Sequence, residues 1–248
     1  MDNDARLLWA ENHTVHASDT DHLTRGKLSF ILDMMQRAAD SAVTDLGFRL
    51  DQMMQSDMGW MMITLDMDIH RLPCLSDVLS VHTWSKGTRG ALWQRDYRIF
   101  DSSDVELVSA RSIWALVNIS KRKVLRPNAL PGKVEHYTLD SVGDMPDKVS
   151  IPTEVSLSEA YRYTVRYSGL DNYGHLNNAR YGDLCCDVLP LKEHEGKGLR
   201  RFQITYLQEA KYGDELVIMS SPIDETMYIR GQGNGVIYFE ACLEFEIS

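Results

Sequence analysis

A strand, a polar turn, an amphipathic helix and a run of strands occur in that order twice along the 248 residues, and such repetition restricts a fold more than composition does. The first copy opens with a strand over 7–16 and a turn-rich stretch from Ser18 to Arg25. Phe30, Ile31, Met34, Met35, Ala38, Ala39, Ala42 and Leu46 then recur at helical spacing, with Gly47 as the stop. Ile63, Leu65, Met67 and Ile69 alternate with polar residues at the period of a half-buried strand. Strands are also expected near 78–84, 91–100 and 105–119, joined by links short enough for hairpins. The second copy predicts strands near 160–167, 200–208, 214–220, 226–232 and 235–247. Its helix carries Tyr181, Leu184, Cys185, Val188 and Leu189 on one face and ends near Pro190.

The copies share residues as well as order. The stretch 69–79 resembles 206–216, with Asp77 and Asp214 lying 137 residues apart and Leu79/Leu216 and Val81/Ile218 keeping that offset. A helix followed by antiparallel strands, twice, predicts an α+β fold of two units, each a curved antiparallel sheet wrapped on one helix. Two such units pair their sheets side by side and protect their edges. The proline-marked stretch 133–157 reads as a linker between units over 1–132 and 158–248.

With 26 Lys+Arg against 36 Asp+Glu the chain carries a net charge of −10, which argues against nucleic acid as the main partner. Two basic segments stand out, Lys121, Arg122, Lys123 and Arg126, and Lys197, Arg200 and Arg201. They read either as solvated loop charge or as a docking patch for an acidic partner. The apolar runs are far short of the ~20 residues of a membrane span. The start, MDNDARLLWAENH, has neither a basic region before an apolar core nor an Arg/Ser-rich composition, so a cytoplasmic protein is expected. Cys74, Cys185, Cys186 and Cys242 form no CxxC pair and read as free thiols, with no metal site.

Chemistry concentrates in 167–181, where Asp171, Asn172, Tyr173, Gly174, His175, Asn177 and Asn178 precede a helix. Turn formation accounts for the asparagines and the glycine, but not readily for His175 with an aspartate four residues earlier. The run from Asp171 to Tyr181 resembles the D-x-N-x-H-x-N-N-x-x-Y segment of the plant and bacterial fatty acyl-ACP thioesterases. The stretch from Tyr206 to Asp214, with Glu209, is similar to that family's second motif, and Trp60, Arg71-Leu72-Pro73, Thr83-Trp84, Arg95-Asp96-Tyr97 and Ala110-Arg111-Ser112-Ile113-Trp114 fit in order. The resemblance spans nearly the whole chain. It implies a tandem double hot dog, no cofactor, and hydrolysis of the thioester joining a fatty acyl chain to acyl carrier protein.

By matching positions, the resemblance gives Asp171, His175 and Glu209 catalytic places. Glu209 suits a general base, His175 a group that polarises the carbonyl or protonates the leaving thiol, and Asp171 an orienting group or shared base. Backbone N–H groups near Asn177 and Asn178 would add positive potential at the helix start. Two departures are visible. Tyr173 stands at the family's Asn position, with Asn172 one place earlier, and Ala210 stands where the family often has Cys, which favours attack by water. In the first copy Leu72 matches Glu209 and Arg25 falls at about the place of His175, so one catalytic site is expected, in the second copy. Met34, Met35, Trp60 and Met62 are candidates for an acyl pocket in the first, core packing being the simpler reading. Lys121, Arg122, Lys123, Arg200 and Arg201 are candidates for docking the carrier. An acyl-CoA thioesterase and a non-catalytic acyl- or carrier-binding module are the alternatives, and a homodimer stays open.

Overall fold

The computed structural model describes residues 7–132 and 134–247. The first copy comprises β1 (Leu8–Thr14), α1 (Leu28–Asp45), α2 (Leu50–Gln55), β2 (Met58–Ile69), β3 (Val78–Arg89), β4 (Leu92–Phe100), β5 (Glu106–Asn118) and β6 (Lys123–Val124). The second comprises β7 (Ser158–Thr164), α3 (Arg180–Cys186), α4 (Leu191–Gly196), β8 (Lys197–Tyr206), β9 (Glu215–Ser220), β10 (Thr226–Gly233) and β11 (Val236–Ile247). Residues 134–157 carry neither helix nor strand.

Among the described residues all the strands join one 11-stranded sheet in the order β1-β3-β4-β5-β2-β8-β11-β10-β9-β7, with β6 against β5. Followed from either edge inward the order is the same, so the copies meet about a pseudo-twofold at the β2–β8 seam. There Thr64 pairs with Thr205 and Asp68 with Arg201, antiparallel. The two threonine hydroxyls are 3.1 Å apart across the seam. Asp66, almost fully buried, accepts from Arg201 through Nε at 2.8 Å and Nη2 at 2.9 Å, and from Arg111 on its other side. A buried carboxylate demands such pairing, and losing one partner costs several kcal/mol, about 3–5.

The helices cover one face of the sheet. Met34 and Met35 of α1 are 0% and 2% exposed, in a core that runs from Val15 through Leu65 and Phe202 to Phe239 and so belongs to both copies. At Gly182 of α3 a Cβ would meet Leu32 Cδ1 at 2.9 Å and Leu28 Cγ at 3.1 Å, so this glycine lets the two helices touch. The second helix is shorter than its apolar spacing predicts: α3 ends at Cys186, and Val188 and Leu189 lie beyond it. Pro190 disfavours helical geometry at the residue before it.

Candidate active site

The loop bearing His175 is fixed by hydrogen bonds that the sequence dictates. Asp171 Oδ1 accepts from the backbone N–H of Tyr173 (2.8 Å) and of His175 (3.0 Å), and the Asp171 N–H donates to the His175 carbonyl at 2.8 Å. Gly174 takes φ +77°, a left-handed conformation in which a side chain is strained. The Leu176 N–H donates to the Ala210 carbonyl at 2.7 Å. That bond ties the loop to the turn after β8, where Leu207 and Gln208 both donate to the Tyr238 carbonyl. Two chain segments 34 residues apart therefore converge, and His175 Nε2 lies 3.2 Å from Glu209 Oε2.

The pair lines a cavity of about 610 Å³ shared with Trp60, Met62, Tyr173 and Asn178. Tyr173 is inserted between the copies. A Cβ on Gly59 of β2 would sit 3.0 Å from its hydroxyl, so Gly59 makes room for the ring. Burial, with Asp40 and Asp171 adding to it, pushes the Tyr173 phenol up to about 12, which keeps it a hydrogen-bond donor at neutral pH. Arg122, from the loop between β5 and β6, donates from Nη2 to Glu209 Oε2 at 2.6 Å. Glu209 Oε2 thus has two cationic or potentially cationic neighbours, one from each copy.

Several residues that the sequence singles out take other places. Asn172 is exposed and does not line the cavity. Asn177 Oδ1 accepts from the Ala179 N–H at 2.8 Å, and its carbonyl accepts from the Arg180 N–H at 2.9 Å. The N–H groups of Ala179 and Arg180 at this helix start are therefore occupied, and α3 is only 7 residues long. The Asp171 carboxylate spends one oxygen on the loop backbone, which gives it a positioning part whatever else it does. Met34 and Met35 fill the core and line neither this cavity nor its counterpart in the first copy, because the inner face of α1 is packed directly on the sheet. Trp60 and Met62 do line it.

The basic segments do not form one patch. Asn118, at the start of the Lys121–Lys123 loop, pairs with Met58 at one end of β2, while Arg201 pairs with Asp68 near the other. Ten residues of strand separate those positions, roughly 30 Å. Arg201 is committed to Asp66 and Glu244, and Arg200 is exposed beyond the seam. Lys121 and Lys123 are exposed beside the cavity mouth, to which Lys211 also contributes. Burial pushes the Cys185 thiol well above its ordinary value and that of Cys186 up to about 12, so neither is poised as a nucleophile.

The partnership of Arg122 with Glu209 is invisible to local sequence reading, since 87 residues separate them. The alternation Trp93, Arg95, Tyr97, Ile99 along β4 does carry a signal: a charge in an inward register.

A family model for the acyl-ACP thioesterase N-terminal domain matches residues 6–128, and one for the acyl-ACP thioesterase C-terminal domain matches 153–239. A chloroplastic acyl-(acyl-carrier-protein) hydrolase of Cuphea viscosissima is 24% identical over 86% of this chain and 54% of its own length. The chloroplastic palmitoyl-acyl carrier protein thioesterase of Arabidopsis thaliana is 22% identical over the same shares, 86% and 54%. The chain thus spans about half the length of these plant relatives. Among solved structures, an acyl-ACP thioesterase from Bacteroides thetaiotaomicron superposes with a TM-score of 0.82 at 22% identity, covering 99% of this chain and 100% of that one. The 12:0-ACP thioesterase from Umbellularia californica superposes at 0.80 with 17% identity, covering 98% of each. These likenesses show the fold, two hot dogs in tandem.

Proposed function

The chain belongs to the acyl-ACP thioesterase family, and from that premise we propose that it hydrolyses the thioester of a fatty acyl chain carried by acyl carrier protein. The observation that carries this reading is the 3.2 Å contact of His175 and Glu209 on the wall of a cavity large enough for an acyl thioester. The acyl chain runs past Trp60 and Met62 into the first copy, and the carrier docks its acidic surface against Lys121, Lys123 and Lys211.

In this reading Glu209 takes a proton from water as the water oxygen bonds to the carbonyl carbon. The carbonyl oxygen gains negative charge and accepts hydrogen bonds from the Tyr173 hydroxyl and the Asn178 amide. Collapse of that intermediate breaks the C–S bond. The proton passes across the Glu209–His175 contact and His175 delivers it to the departing sulfur, leaving a free acid and the carrier thiol. Arg122 holds Glu209 in place for the attack, and Asp171 holds the loop that carries His175.

Thiol release from acyl-ACPs of short to long chain tests this. His175→Ala and Glu209→Ala are each expected to lose about 10²–10⁴-fold in kcat, the range for a general acid or base. Release no faster than buffer by the wild type across all chain lengths would overturn it. Tight acyl-ACP binding without turnover would instead favour a binding module. Reversing Lys121 and Lys123 to Glu is expected to raise KM for acyl-ACP and spare turnover of the matched acyl-CoA.

A further inference from the structure

Behind Trp60 lies a second, smaller cavity, about 50 Å³, between α1 and β4. Trp60 lines both it and the larger cavity, and its ring packs edge-on against Trp93 at 5.3 Å. Phe48, Val43 and Leu46 supply apolar wall, as the far end of an acyl pocket requires. Yet two charged side chains, Asp40 and Arg95, also line it.

Arg95 is 8% exposed, and the one hydrogen bond of its guanidinium among the described residues is from Nη1 to Thr83 Oγ1 at 3.1 Å. Its inward register on β4 points the guanidinium toward α1. Asp40 accepts no hydrogen bond and makes no ion pair among the described residues, although Arg95 is the cation that acts on it electrostatically. Asp40 is itself exposed, so it lines the space at its solvent edge, and the protein packed around it pushes the carboxyl up to about 6 by burial, against the pull of Arg95. A buried guanidinium with unused donors thus faces a carboxylate with unused acceptors across a space large enough for a small group.

The chemistry of the occupant follows from that pairing. A methylene or methyl end entering the space strips water from the buried Arg95 guanidinium and returns nothing, which is costly. A carboxylate satisfies Arg95 but repels Asp40, and an ammonium does the reverse. A hydroxyl accepts from Arg95 and donates to Asp40 at once, replacing water group for group. We propose that the acyl chains this protein selects carry a hydroxyl group remote from the thioester, held between Arg95 and Asp40 behind the Trp60 ring. This rests on reading the larger cavity as the thioester site, with Trp60 at the junction of the two.

The experiment compares acyl-ACPs of equal chain length with and without a hydroxyl, moved carbon by carbon along the distal half. The best-placed hydroxyl is expected to raise kcat/KM about tenfold or more, as sites built to hydrogen-bond a substrate hydroxyl discriminate strongly against its absence. Asp40→Leu combined with Arg95→Met is expected to abolish or invert that preference. Asp40→Asn, nearly isosteric, is expected to weaken it and guards against misfolding of the double variant, checked by its melting curve. Equal or better turnover of the plain chain at every position overturns the proposal and leaves the thioesterase reading standing. Calorimetric binding of free hydroxy and plain fatty acids to the whole chain separates the opposite failure. Hydroxyl-selective binding lost in Asp40→Leu, without turnover of any acyl-ACP, would sustain the pocket and sink the hydrolase.

Discussion

The two copies build the same loop and put different chemistry on it. In the first, Asp21 Oδ1 accepts from the N–H of Leu23 (2.8 Å) and Arg25 (2.9 Å), and the Asp21 N–H donates to the Arg25 carbonyl at 2.7 Å. These are the bonds Asp171 makes to Tyr173 and His175. The Gly26 N–H donates to the Pro73 carbonyl at 2.7 Å, as Leu176 does to Ala210. Asp77 Oδ2 accepts from the Cys74 N–H at 2.9 Å, as Asp214 Oδ2 does from Lys211 at 2.8 Å. Even the cavities correspond: each is about 610 Å³, one lined by Arg25 and Leu72, the other by His175 and Glu209. Volume and loop geometry are therefore scaffold. At the two matching wall positions the chemistry differs, Arg25 and Leu72 against His175 and Glu209, and Arg25 is moreover spent on Asp21, at 3.0 Å.

The largest effect is expected from erasing the difference between the copies. Converting the second copy toward the first, His175→Arg with Glu209→Leu, is expected to lower thiol release from acyl-ACP by about 10³-fold or more while leaving the melting temperature within a few degrees. Retained turnover would move the chemistry elsewhere. Next in size is the paired removal of the loop aspartates. Asp21→Ala and Asp171→Ala each orphan two N–H groups and are each expected to cost about 1–3 kcal/mol in denaturant unfolding. Only Asp171→Ala is expected to cut kcat as well, so equal kinetic losses would contradict the asymmetry.

A smaller effect sharpens how the copies share one site. Arg122→Ala removes the first copy's hold on Glu209, with an expected fall in kcat of about tenfold, on the scale of one charge-assisted hydrogen bond. Lysine at that position is expected to restore part of it. The smallest effect is on pH dependence. The Asp40 carboxyl is raised to about 6, so the folded state binds its proton more tightly than the unfolded chain does. The penalty for ionising it is absent below the ordinary carboxylate range and complete above about pH 6. Asp40→Asn is therefore expected to raise the melting temperature at pH 7.5 but not at pH 4, a difference that thermal unfolding at both values checks.

The fold was legible because its signals are local. Period-two alternation over 63–69 and helical spacing from Phe30 to Leu46 mark β2 and α1, and the shared Asp77/Asp214 turn marks the repeat. The convergence of His175 with Glu209 was legible only through the family motifs, because it depends on the Leu176–Ala210 backbone bond, which no periodicity announces. Other side chains are ambiguous in sequence because one residue type serves two ends. Methionines suit both a tunnel and a core, and Met34 and Met35 take the simpler place, in the core. Arg201 looked like surface charge because Asp66, 135 residues away, is hidden from a local reading. Asn172 sits next to the matching position, but the turn points it to solvent while Tyr173 enters the space above Gly59.

The most direct measurement is a crystal structure of the protein with an acyl carrier protein bearing a non-hydrolysable thioester mimic. The carbonyl carbon of the mimic is expected within reach of both His175 and Glu209, with the chain leading past Trp60. A carbonyl found beside Arg25 and Leu72 in the first copy would contradict the assignment of the chemistry to the second.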